Sequence, residues 1–340
     1  MIRSLLHGKW DPNTSPVVSS EPPLAELGFD APPGVRDALS RLGRSEDLRF
    51  SPENRTLAIA GFAQHKLLLL TFASTRGAQP AVEFSDFLEI RSPGVGLVHG
   101  LDFIDERTLV VANRDGSVAV LRIPDGDFGG REIALEPEVT LRGRHIQNPG
   151  SVAVVDGGGG SIGLLVCNNY VHRVTRYDLD RIDFGERGHE LVARWGLNVP
   201  DGIALSHDSQ FMAVSSHKTH DVKVYLNADP AGADRKAVAE LCGVRYAHGL
   251  RFTPGDGHVL VADAGAPIVR VYELGDGWSG EKAPVRSCVV LDRETFLQGH
   301  KNPEEGGPKG LDIDGSGQVV ALTCEEKALS LFPLAAFTGE

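Results

Sequence analysis

The stretch Asn198-Val-Pro-Asp-Gly-Ile-Ala-Leu-Ser-His-Asp-Ser-Gln-Phe-Met-Ala-Val-Ser215 decides the fold of this 340-residue chain. A loop leads into a short apolar strand from Ile203 to Leu205, and a polar turn follows it. A second apolar strand runs from Phe211 to Ser215. Alternation of Val222, Val224 and Leu226 with polar residues predicts a third strand, because successive side chains of a strand point to opposite faces.

The same unit recurs six times along the chain. Its first strands begin 53, 51, 51, 47 and 61 residues apart, by subtraction of the positions of their first residues. Those first residues are Leu48, Leu101, Val152, Ile203, Leu250 and Leu311. Near-regular repeats of this length predict a closed or stacked repeat architecture.

Each repeat is expected to contain three or four strands. Second strands begin at Leu57, Leu109, Leu164, Phe211, Val259 and Val319, and third strands at Lys66, Ser117, Arg173, Asp221, Ile268 and Ala328. Five repeats carry a fourth strand, within 81–90, 139–143, 190–196, 237–243 and 285–292. We therefore predict an all-β fold, a six-bladed β-propeller with four-stranded antiparallel blades. A β-sandwich or a two-domain β protein is the alternative.

The sixth repeat leaves no room for a fourth strand. The segment 2–6 resembles the outer strands, so we expect this N-terminal strand to close the ring. The prediction is one domain over 1–340. In this domain, the closing strand and a loop with a short helix (34–42) over one face come from residues 1–45. The six blades come from residues 46–334, and a tail follows at 335–340. The long connections 8–45 and 293–308 lie on one face. They are either surface decoration or a partial lid, since long ordered loops are often functional.

Composition limits the expected partners. The net charge of −12 disfavours nucleic acid and anionic membranes. The first eight residues lack a signal-peptide core, and no apolar run has membrane-spanning length, so we expect a soluble, cytoplasmic protein. Cys167, Cys242, Cys288 and Cys324 show no C-x-x-C spacing and are expected to be small buried residues. A small-molecule substrate is the expected partner, and a protein partner stays open.

One column of residues changes its chemistry from repeat to repeat while its surroundings are repeated. It lies two residues before each first strand and consists of Glu46, His99, Gly150, Asp201, His248 and Lys309. In a propeller these positions meet at one mouth of the central channel. Glycine follows four of the six, and we interpret it as allowing a tight turn into the strand. Simple capping of free backbone groups would not require two His, two carboxylates and a Lys. The column therefore predicts a site.

A second column, at the ends of the second strands, offers candidate substrate-binding residues. It consists of Gly61, Asn113, Asn168, Ser215, Asp263 and Thr323, with Asn169, His217 and Glu325 beside it. The candidates are Asn113, Asn168, Asp263, His217 and Glu325. Asn and Asp also end strands for turn reasons alone. His217 and His220 share a loop that we expect to face solvent.

The first column supports three chemical hypotheses. Glu46, His99, Asp201 and His248 form a mixed nitrogen and oxygen set, which suits Zn²⁺, Fe²⁺, Mn²⁺ or Ni²⁺ better than Ca²⁺. Without a metal, His99 or His248 paired with a carboxylate such as Asp201 would be a general base, and Lys309 would stabilise an anion. The third possibility is a structural hydrogen-bonded plug. No nucleotide cofactor is expected, because Gly157–Gly160 lacks a following Lys-Ser/Thr.

The segment Pro200-Asp-Gly-Ile-Ala-Leu-Ser-His-Asp-Ser209 is similar to the x-[ND]-G-[LI]-x-x-S-x-D repeat of the SMP-30/gluconolactonase and strictosidine-synthase-like class, and to NHL-like repeats. The resemblance covers 46–334. In the lactonase branch it implies a divalent metal at the channel mouth, with ligand positions falling on Glu46, Asp201 and His248. This chain has Asp where that class usually has Asn, and His248 where it has Asp.

The resemblance implies a metal-assisted hydrolase or isomerase of a lactone-like or ester-like, oxygen-rich substrate. Asp201, Glu46 and His248 would then be ligands, His99 a ligand or proton shuttle, and Lys309 a group that binds substrate oxygen. A propeller fold does not by itself establish catalysis. A non-catalytic propeller that binds a ligand or a protein at its rim is the second hypothesis.

Overall fold

The computed structural model describes residues 21–77, 79–143, 145–227 and 235–339. In this part of the chain, six antiparallel sheets form a six-bladed β-propeller, which confirms the predicted fold. The innermost strand of each blade packs against that of the next, and the sixth packs against the first, so the ring is closed. The expected closing strand at 2–6 lies outside the described residues.

The blades follow one another along the chain, and the strands of each blade run outward from the channel. Before them come β1 (Phe29–Asp30) and α1 (Pro33–Leu42). Blade 1 contains β2 (Leu48–Phe50), β3 (Thr56–Gly61), β4 (Lys66–Ser74) and β5 (Val82–Arg91). Blade 2 contains β6 (Val98–Asp105), β7 (Thr108–Asn113), β8 (Ser117–Arg122) and, after the short β9 (Arg131–Ala134), the outer strand β10 (Val139–Leu141). Blade 3 contains β11 (Pro149–Gly158), β12 (Ser161–Asn168), β13 (Arg173–Asp180) and β14 (Glu186–Ala193).

The remaining blades have the same order. Blade 4 contains β15 (Pro200–Leu205), β16 (Phe211–Ser216), β17 (Asp221–Leu226) and β18 (Ala239–Leu241). Blade 5 contains β19 (Ala247–Phe252), β20 (His258–Asp263), β21 (Ile268–Glu273) and, after the short β22 (Gly280–Lys282), the outer strand β23 (Arg286–Val289). Next come α2 (Arg293–Gly299), the blade 6 strands β24 (Pro308–Ile313), β25 (Val319–Cys324) and β26 (Ser330–Pro333), and finally α3 (Ala335–Thr338).

The hydrophobic core is divided into layers between neighbouring blades. Six apolar clusters each combine residues from two adjacent blades, and the last joins blade 6 to blade 1. In that last cluster Val319 and Leu331 of blade 6 pack with Leu48 and Ile59 of blade 1. Alternate side chains of each strand thus reach the blade on either side. The stability of one blade therefore depends on both of its neighbours.

Residues 24–30 run along the outer edges of three blades. Leu24 N–H donates to Val289 O of blade 5 (2.8 Å), and Leu27 N–H donates to Leu331 O of blade 6 (2.7 Å). β1 then pairs in parallel with β5 of blade 1. Blade 6 has three strands of its own among the described residues, and the segment around Leu27 lies where a fourth would pair.

Three local features differ from the sequence interpretation. The connection 293–308 begins with a helix, α2, whose N-terminus is capped by Asp292 accepting from Thr295 N–H (2.9 Å). The short strands β9 and β22 pair in parallel with the outer strands of the preceding blades. Residues 335–338, assigned to a tail, form α3, in which Phe337 is fully buried.

In the described ranges, no helix is long and apolar enough to span a bilayer. Cys167, Cys288 and Cys324 are buried, as expected, and Cys242 is half-buried.

Candidate functional site

The six residues of the first column are here called the ring residues. Five of them lie at a break in strand pairing. In blade 4 the register of β15 against β16 shifts between Pro200 and Ile203, on either side of Asp201. The same shift falls on His99, Gly150, His248 and Lys309. Such β-bulges change the direction in which a side chain points and are common beside functional sites. The repeated bulge explains how strands of similar sequence direct side chains of different chemical type into one channel mouth.

The glycine after the ring residue is required by the close approach of the next blade. A Cβ on Gly202 would lie 2.2 Å from the carbonyl oxygen of His248, and one on Gly249 would lie 2.5 Å from that of Lys309. Neither glycine has a positive φ. Our interpretation of these glycines as tight-turn residues is therefore wrong. They let the inner strands of adjacent blades meet.

Five ring side chains converge at the channel mouth. Glu46, His99, Asp201, His248 and Lys309 are each at most 3% exposed. His248 Nε2 lies 3.2 Å from Asp201 Oδ2 and 3.7 Å from Glu46 Oε2. His99 Nε2 lies 3.5 Å from the same Glu46 oxygen. The structure thus brings together every ring residue that has a side chain.

The donor atoms of Glu46, His99 and His248 all lie within 4.8 Å of one another. Ligand atoms at about 2.1 Å from a tetrahedral Zn²⁺ are about 3.4 Å apart, and the separations of 3.5 Å between Glu46 and His99 and of 3.7 Å between Glu46 and His248 are close to that spacing. A cavity of about 10 Å³ lies among these residues. That volume is enough for one water-sized particle.

Three of the converging atoms lack hydrogen bonds. Within the described chain, Glu46 Oε2, Asp201 Oδ2 and His248 Nε2 are buried without a hydrogen-bond partner. The 3.2 Å contact between the last two does not have hydrogen-bond geometry. Buried polar atoms are almost always paired in native proteins, and leaving them unpaired is costly. The donor set therefore fits a bound cation.

The charge states of the ring suit that cation. Burial alone would raise the pKa of Glu46, but Lys309 and the neighbouring cationic groups hold it far below its usual range. Burial would also raise the pKa of Asp201, but the imidazoles and Arg114 hold it well below normal. Burial and Arg114 lower the pKa of His99 to about 4. Near pH 7 the carboxylates are ionised and His99 is neutral, which are the forms that bind metals.

Arg114 is a site residue that we did not predict. Its Nη2 lies 2.7 Å from His99 Nε2 and donates to Asp201 Oδ1 (3.2 Å). His99 Nδ1 lies 2.7 Å from the Gly150 carbonyl oxygen, an arrangement that places the proton on Nδ1 and leaves the lone pair on Nε2. Arg114 therefore competes with a metal for that lone pair.

The repeat pattern contained a signal for Arg114. Arg114 follows the end of β7 as Asn169 follows the end of β12, and Asn169 Nδ2 donates to Asp201 Oδ1 (2.7 Å). Gly150 leaves space for this arrangement, because a Cβ there would lie 2.1 Å from Asn169 Oδ1 and 2.5 Å from Asp201 Oδ1. The one ring position without a side chain thus makes room for the partners of Asp201.

Lys309 is surrounded by carboxylates. Its Nζ lies 3.1 Å from Glu46 Oε1, 3.2 Å from Glu305 Oε2 and 3.3 Å from Glu325 Oε2. Burial would lower the pKa of Lys309, but Glu46 and Glu305 raise it above its ordinary value. Arg44, which we also did not predict, pairs with Glu46 and with Glu325. The charge of Lys309 is thus already balanced inside the protein.

His217 is buried, at 4% exposure, so our expectation that it faces solvent is wrong. Its Nδ1 lies 4.0 Å from Asp201 Oδ2, and its Nε2 lies 3.6 Å from Glu304 Oε2 and 3.8 Å from Glu305 Oε1. Hydrogen bonding to His217 lowers the pKa of Glu304 to about 2. The connection 293–308 thus carries two carboxylates to the mouth. His220 is half-buried, and its Nδ1 contacts a backbone carbonyl.

The second column mainly supports the backbone of its own blades. Asn113 accepts from Gly96 N–H (2.9 Å) and Asn168 accepts from Gln147 N–H (2.8 Å). Asp263 accepts from the N–H groups of two residues that precede β19. Each side chain fixes the loop that leads into an inner strand. The contacts of Asn113, Asn168 and Asp263 do not include the ring, and their role in substrate binding stays a prediction.

Comparison with known proteins supports the fold and nothing finer. No family model matches this chain, and no curated protein matches it. The fold is similar to the crystal structure of a functionally unknown protein from Desulfotomaculum acetoxidans DSM 771. That similarity has a TM-score of 0.54 and 14% sequence identity, over 86% of this chain and 83% of the other. The chain is a six-bladed β-propeller with a buried Glu/His/His cluster at its channel mouth.

Proposed function

We propose that this protein is a metal-dependent hydrolase of small, oxygen-rich esters or lactones, and that its site lies at the mouth formed by the ring residues. One observation carries the proposal. Glu46 Oε2, Asp201 Oδ2 and His248 Nε2 converge in a buried space without hydrogen bonds among the described residues, and His99 Nε2 lies beside them. Such a set of donors is typical of a transition-metal site.

Each ring residue has a role in this proposal. Glu46, His99, Asp201 and His248 would hold Zn²⁺, Fe²⁺, Mn²⁺ or Ni²⁺, which polarises a carbonyl and lowers the pKa of water when bound. His217 is placed to accept a proton, because its Nδ1 faces Asp201 at 4.0 Å and is buried without a hydrogen-bond partner in the described structure. Glu304, beside His217 Nε2, would stabilise the imidazolium that results.

We assign Lys309 a role other than the expected binding of substrate. Because three carboxylates already surround its ammonium group, we assign it to the neutralisation of Glu46, Glu305 and Glu325 rather than to the binding of a substrate anion. The resemblance to the SMP-30/gluconolactonase class supports the choice of lactones as substrates. The two imidazoles in the ring support a transition metal over Ca²⁺.

Metal analysis of the purified protein tests the proposal most directly. We expect about one equivalent of a transition metal, lost in the double variant His248→Ala/Asp201→Ala together with hydrolysis of a panel of small lactones and esters. The matched control is His189→Ala/Glu186→Ala, which removes an exposed His–Glu pair (Nδ1 to Oε1, 2.7 Å) on the outer strand β14.

Circular dichroism would establish that both variants are folded. An absence of metal in the wild type after incubation with each of the four ions would contradict the proposal. So would a metal content that the ring variant leaves unchanged. The ring would then be a structural plug of ion pairs and hydrogen bonds.

A further inference from the structure

A second cavity lies at the other end of the channel, where the inner strands end. Its volume is about 510 Å³, within the range of roughly 300–1,000 Å³ that is usual for small-molecule sites. Its apolar wall comes from the ends of the inner strands and includes Phe50, Leu205, Phe252 and Ile313. We call it the lower cavity. None of the ring residues lines it.

The lower cavity exists because two blades contribute only a methyl group. One residue in each blade directly follows the first residue of the first strand as aligned in the sequence. These six residues all line the cavity, and they are Arg49, Asp102, Ala153, Ala204, Arg251 and Asp312. Four of them are long or charged. Ala153 and Ala204, in adjacent blades, leave the volume on one side of the channel unfilled. The cavity is therefore encoded by side-chain size at two positions.

Two guanidinium groups separate the lower cavity from the ring. Arg49 and Arg251 line both cavities. Arg49 Nη1 donates to Leu48 O (2.8 Å), and Arg251 Nη1 donates to Leu250 O (2.6 Å). These bonds fix both guanidinium groups across the channel. A molecule in the lower cavity would meet them, and not the ring residues.

The two guanidinium groups between the cavities are already paired with carboxylates. Arg251 Nε donates to Asp312 Oδ1 (2.7 Å), and Arg49 Nη1 lies 3.1 Å from Asp47 Oδ1. Asp102 supplies a third carboxylate, 3.8 Å from Arg49 Nε. Two cations and three carboxylates therefore face each other. An anion entering the cavity would meet carboxylates, and a cation would meet guanidinium groups.

The cavity nevertheless has accessible hydrogen-bonding groups. The Arg251 side chain is 15% exposed and the Asp102 side chain is 25% exposed, and both line the cavity. Asp102 Oδ2 accepts from Val154 N–H (2.7 Å), but a carboxylate has further lone pairs. Donor and acceptor groups thus lie side by side beneath an apolar wall. Uncharged molecules with several hydroxyl groups and one C–H face match that combination.

We propose that the lower cavity is a binding site for an uncharged polyhydroxylated molecule of monosaccharide size. Hydroxyl groups of this ligand would accept from Arg251 and donate to Asp102. Its C–H face would pack on Leu205 and Ile313, which are partly exposed apolar side chains of the wall. The site is separate from the ring and does not depend on a metal.

Binding to the metal-free protein tests this assignment. The protein is treated with EDTA, and glucose and D-glucitol are titrated with detection by saturation-transfer NMR. Gluconate and glucosamine serve as an anion and a cation of similar size. We expect both neutral probes to bind to the wild type. Ala204→Leu, whose larger side chain fills the cavity, should weaken the binding of both probes at least tenfold. The control Ala73→Leu adds the same side chain at an exposed position of β4 and should bind like the wild type.

Ala153→Val provides a smaller change if Ala204→Leu does not fold. It adds two methyl groups on the same side of the channel, with a residue that strands tolerate well. The proposal is overturned if neither neutral probe binds the wild type, if the filled variants bind them equally well, or if gluconate or glucosamine binds more tightly. Since metal and hydrolysis play no part in the measurement, it fails or succeeds independently of the proposed hydrolase.

Discussion

At the scale of a single residue, Arg114 adds a fixed positive charge beside two of the ring residues. Its guanidinium lies 2.7 Å from the His99 nitrogen that would bind a metal, and it also bonds to Asp201. A fixed positive charge at that distance repels a divalent cation strongly in a buried site. The ring therefore contains both a set of candidate ligands and a competitor for them.

Replacing Arg114 with Met should tighten the binding of Zn²⁺ by about tenfold or more, because the repulsion and the competition are both removed. Competition against a fluorescent chelator measures this affinity. Arg176→Met is the matched control, since Arg176 pairs with Asp178 on β13. Weaker binding in Arg114→Met would show that Arg114 holds His99 and Asp201 in position for the metal instead.

Asp102 links pH to stability at the lower cavity. Burial raises the pKa of Asp102 from 3.8 to about 6. Between those values the folded protein keeps a proton that the unfolded chain releases, so this group makes the wild type less stable as pH rises from about 4 to about 6. Asp102→Asn has no such dependence. The free energy of unfolding of Asp102→Asn should therefore fall furthest below that of the wild type near pH 4. At pH 7 this difference should be smaller by about 2–3 kcal/mol.

Urea unfolding of both proteins at pH 4, 5, 6 and 7 measures that difference. Asp47 and Asp312, whose pKa values are also raised to about 6 by burial, titrate in both proteins, so the difference between the two stability profiles, and not either profile alone, reports on Asp102. A difference that does not change with pH would mean that Asp102 titrates normally in the folded state.

The sequence predicted the ring because its residues occupy one column of a repeat. Arg114 and Arg44 lie outside that column, and their importance comes from side-chain length and direction, which a repeat alignment does not contain. Glu304 and Glu305 lie in a connection without a counterpart in the other blades. The connection 293–308 covers His217. The sequence around His217 therefore could not predict that its side chain is buried.

At the scale of the element, the bulged inner strand is what positions the ring. The bulge directs one side chain into the mouth, and the glycine after it lets the next blade approach. Gly202→Ala should destabilise the protein by about 1–3 kcal/mol, as is usual for overpacking, because the new Cβ meets the His248 carbonyl. Urea unfolding measures the loss.

Gly188→Ala is a suitable comparison for this prediction. Gly188 also lies in a strand, β14, but a Cβ there would meet nothing within 4 Å. Its effect should be close to zero. Equal effects of the two substitutions would mean that strand propensity, and not the contact between blades, explains the loss.

Most core strands were predictable because each is an apolar run bounded by turn residues. β9 and β22 were not, because they are short, polar and stabilised by the edge of another blade. α2 was missed although Asp292 and Thr295 form an N-cap, since seven residues are too few to show helical periodicity.

At the scale of the whole molecule, the ring is closed by residues that are distant in sequence. Phe29 packs edge-to-face on Phe84 at 5.2 Å while its strand pairs with blade 1. Because Phe29 is only partly buried, Phe29→Ala should cost about 1–2 kcal/mol, less than truncation of a fully buried Phe. Thermal unfolding measures this against Ile182→Ala, which removes an 88% exposed side chain. No change in Phe29→Ala would show that the contact between Phe29 and Phe84 does not contribute to stability.

The pairing of early residues with late ones has a consequence for synthesis on the ribosome. Glu46 precedes its partner Lys309 by 263 residues. The hydrogen bond from Leu27 N–H to Leu331 O likewise forms only after Leu331 has been synthesised. Intermediate blades can associate with their predecessors as they emerge, but blade 1 keeps one apolar face uncovered until blade 6 is made. The mouth is thus completed only after translation of the sixth blade. A chain terminated before blade 6 would contain all four candidate metal ligands and yet lack the assembled site.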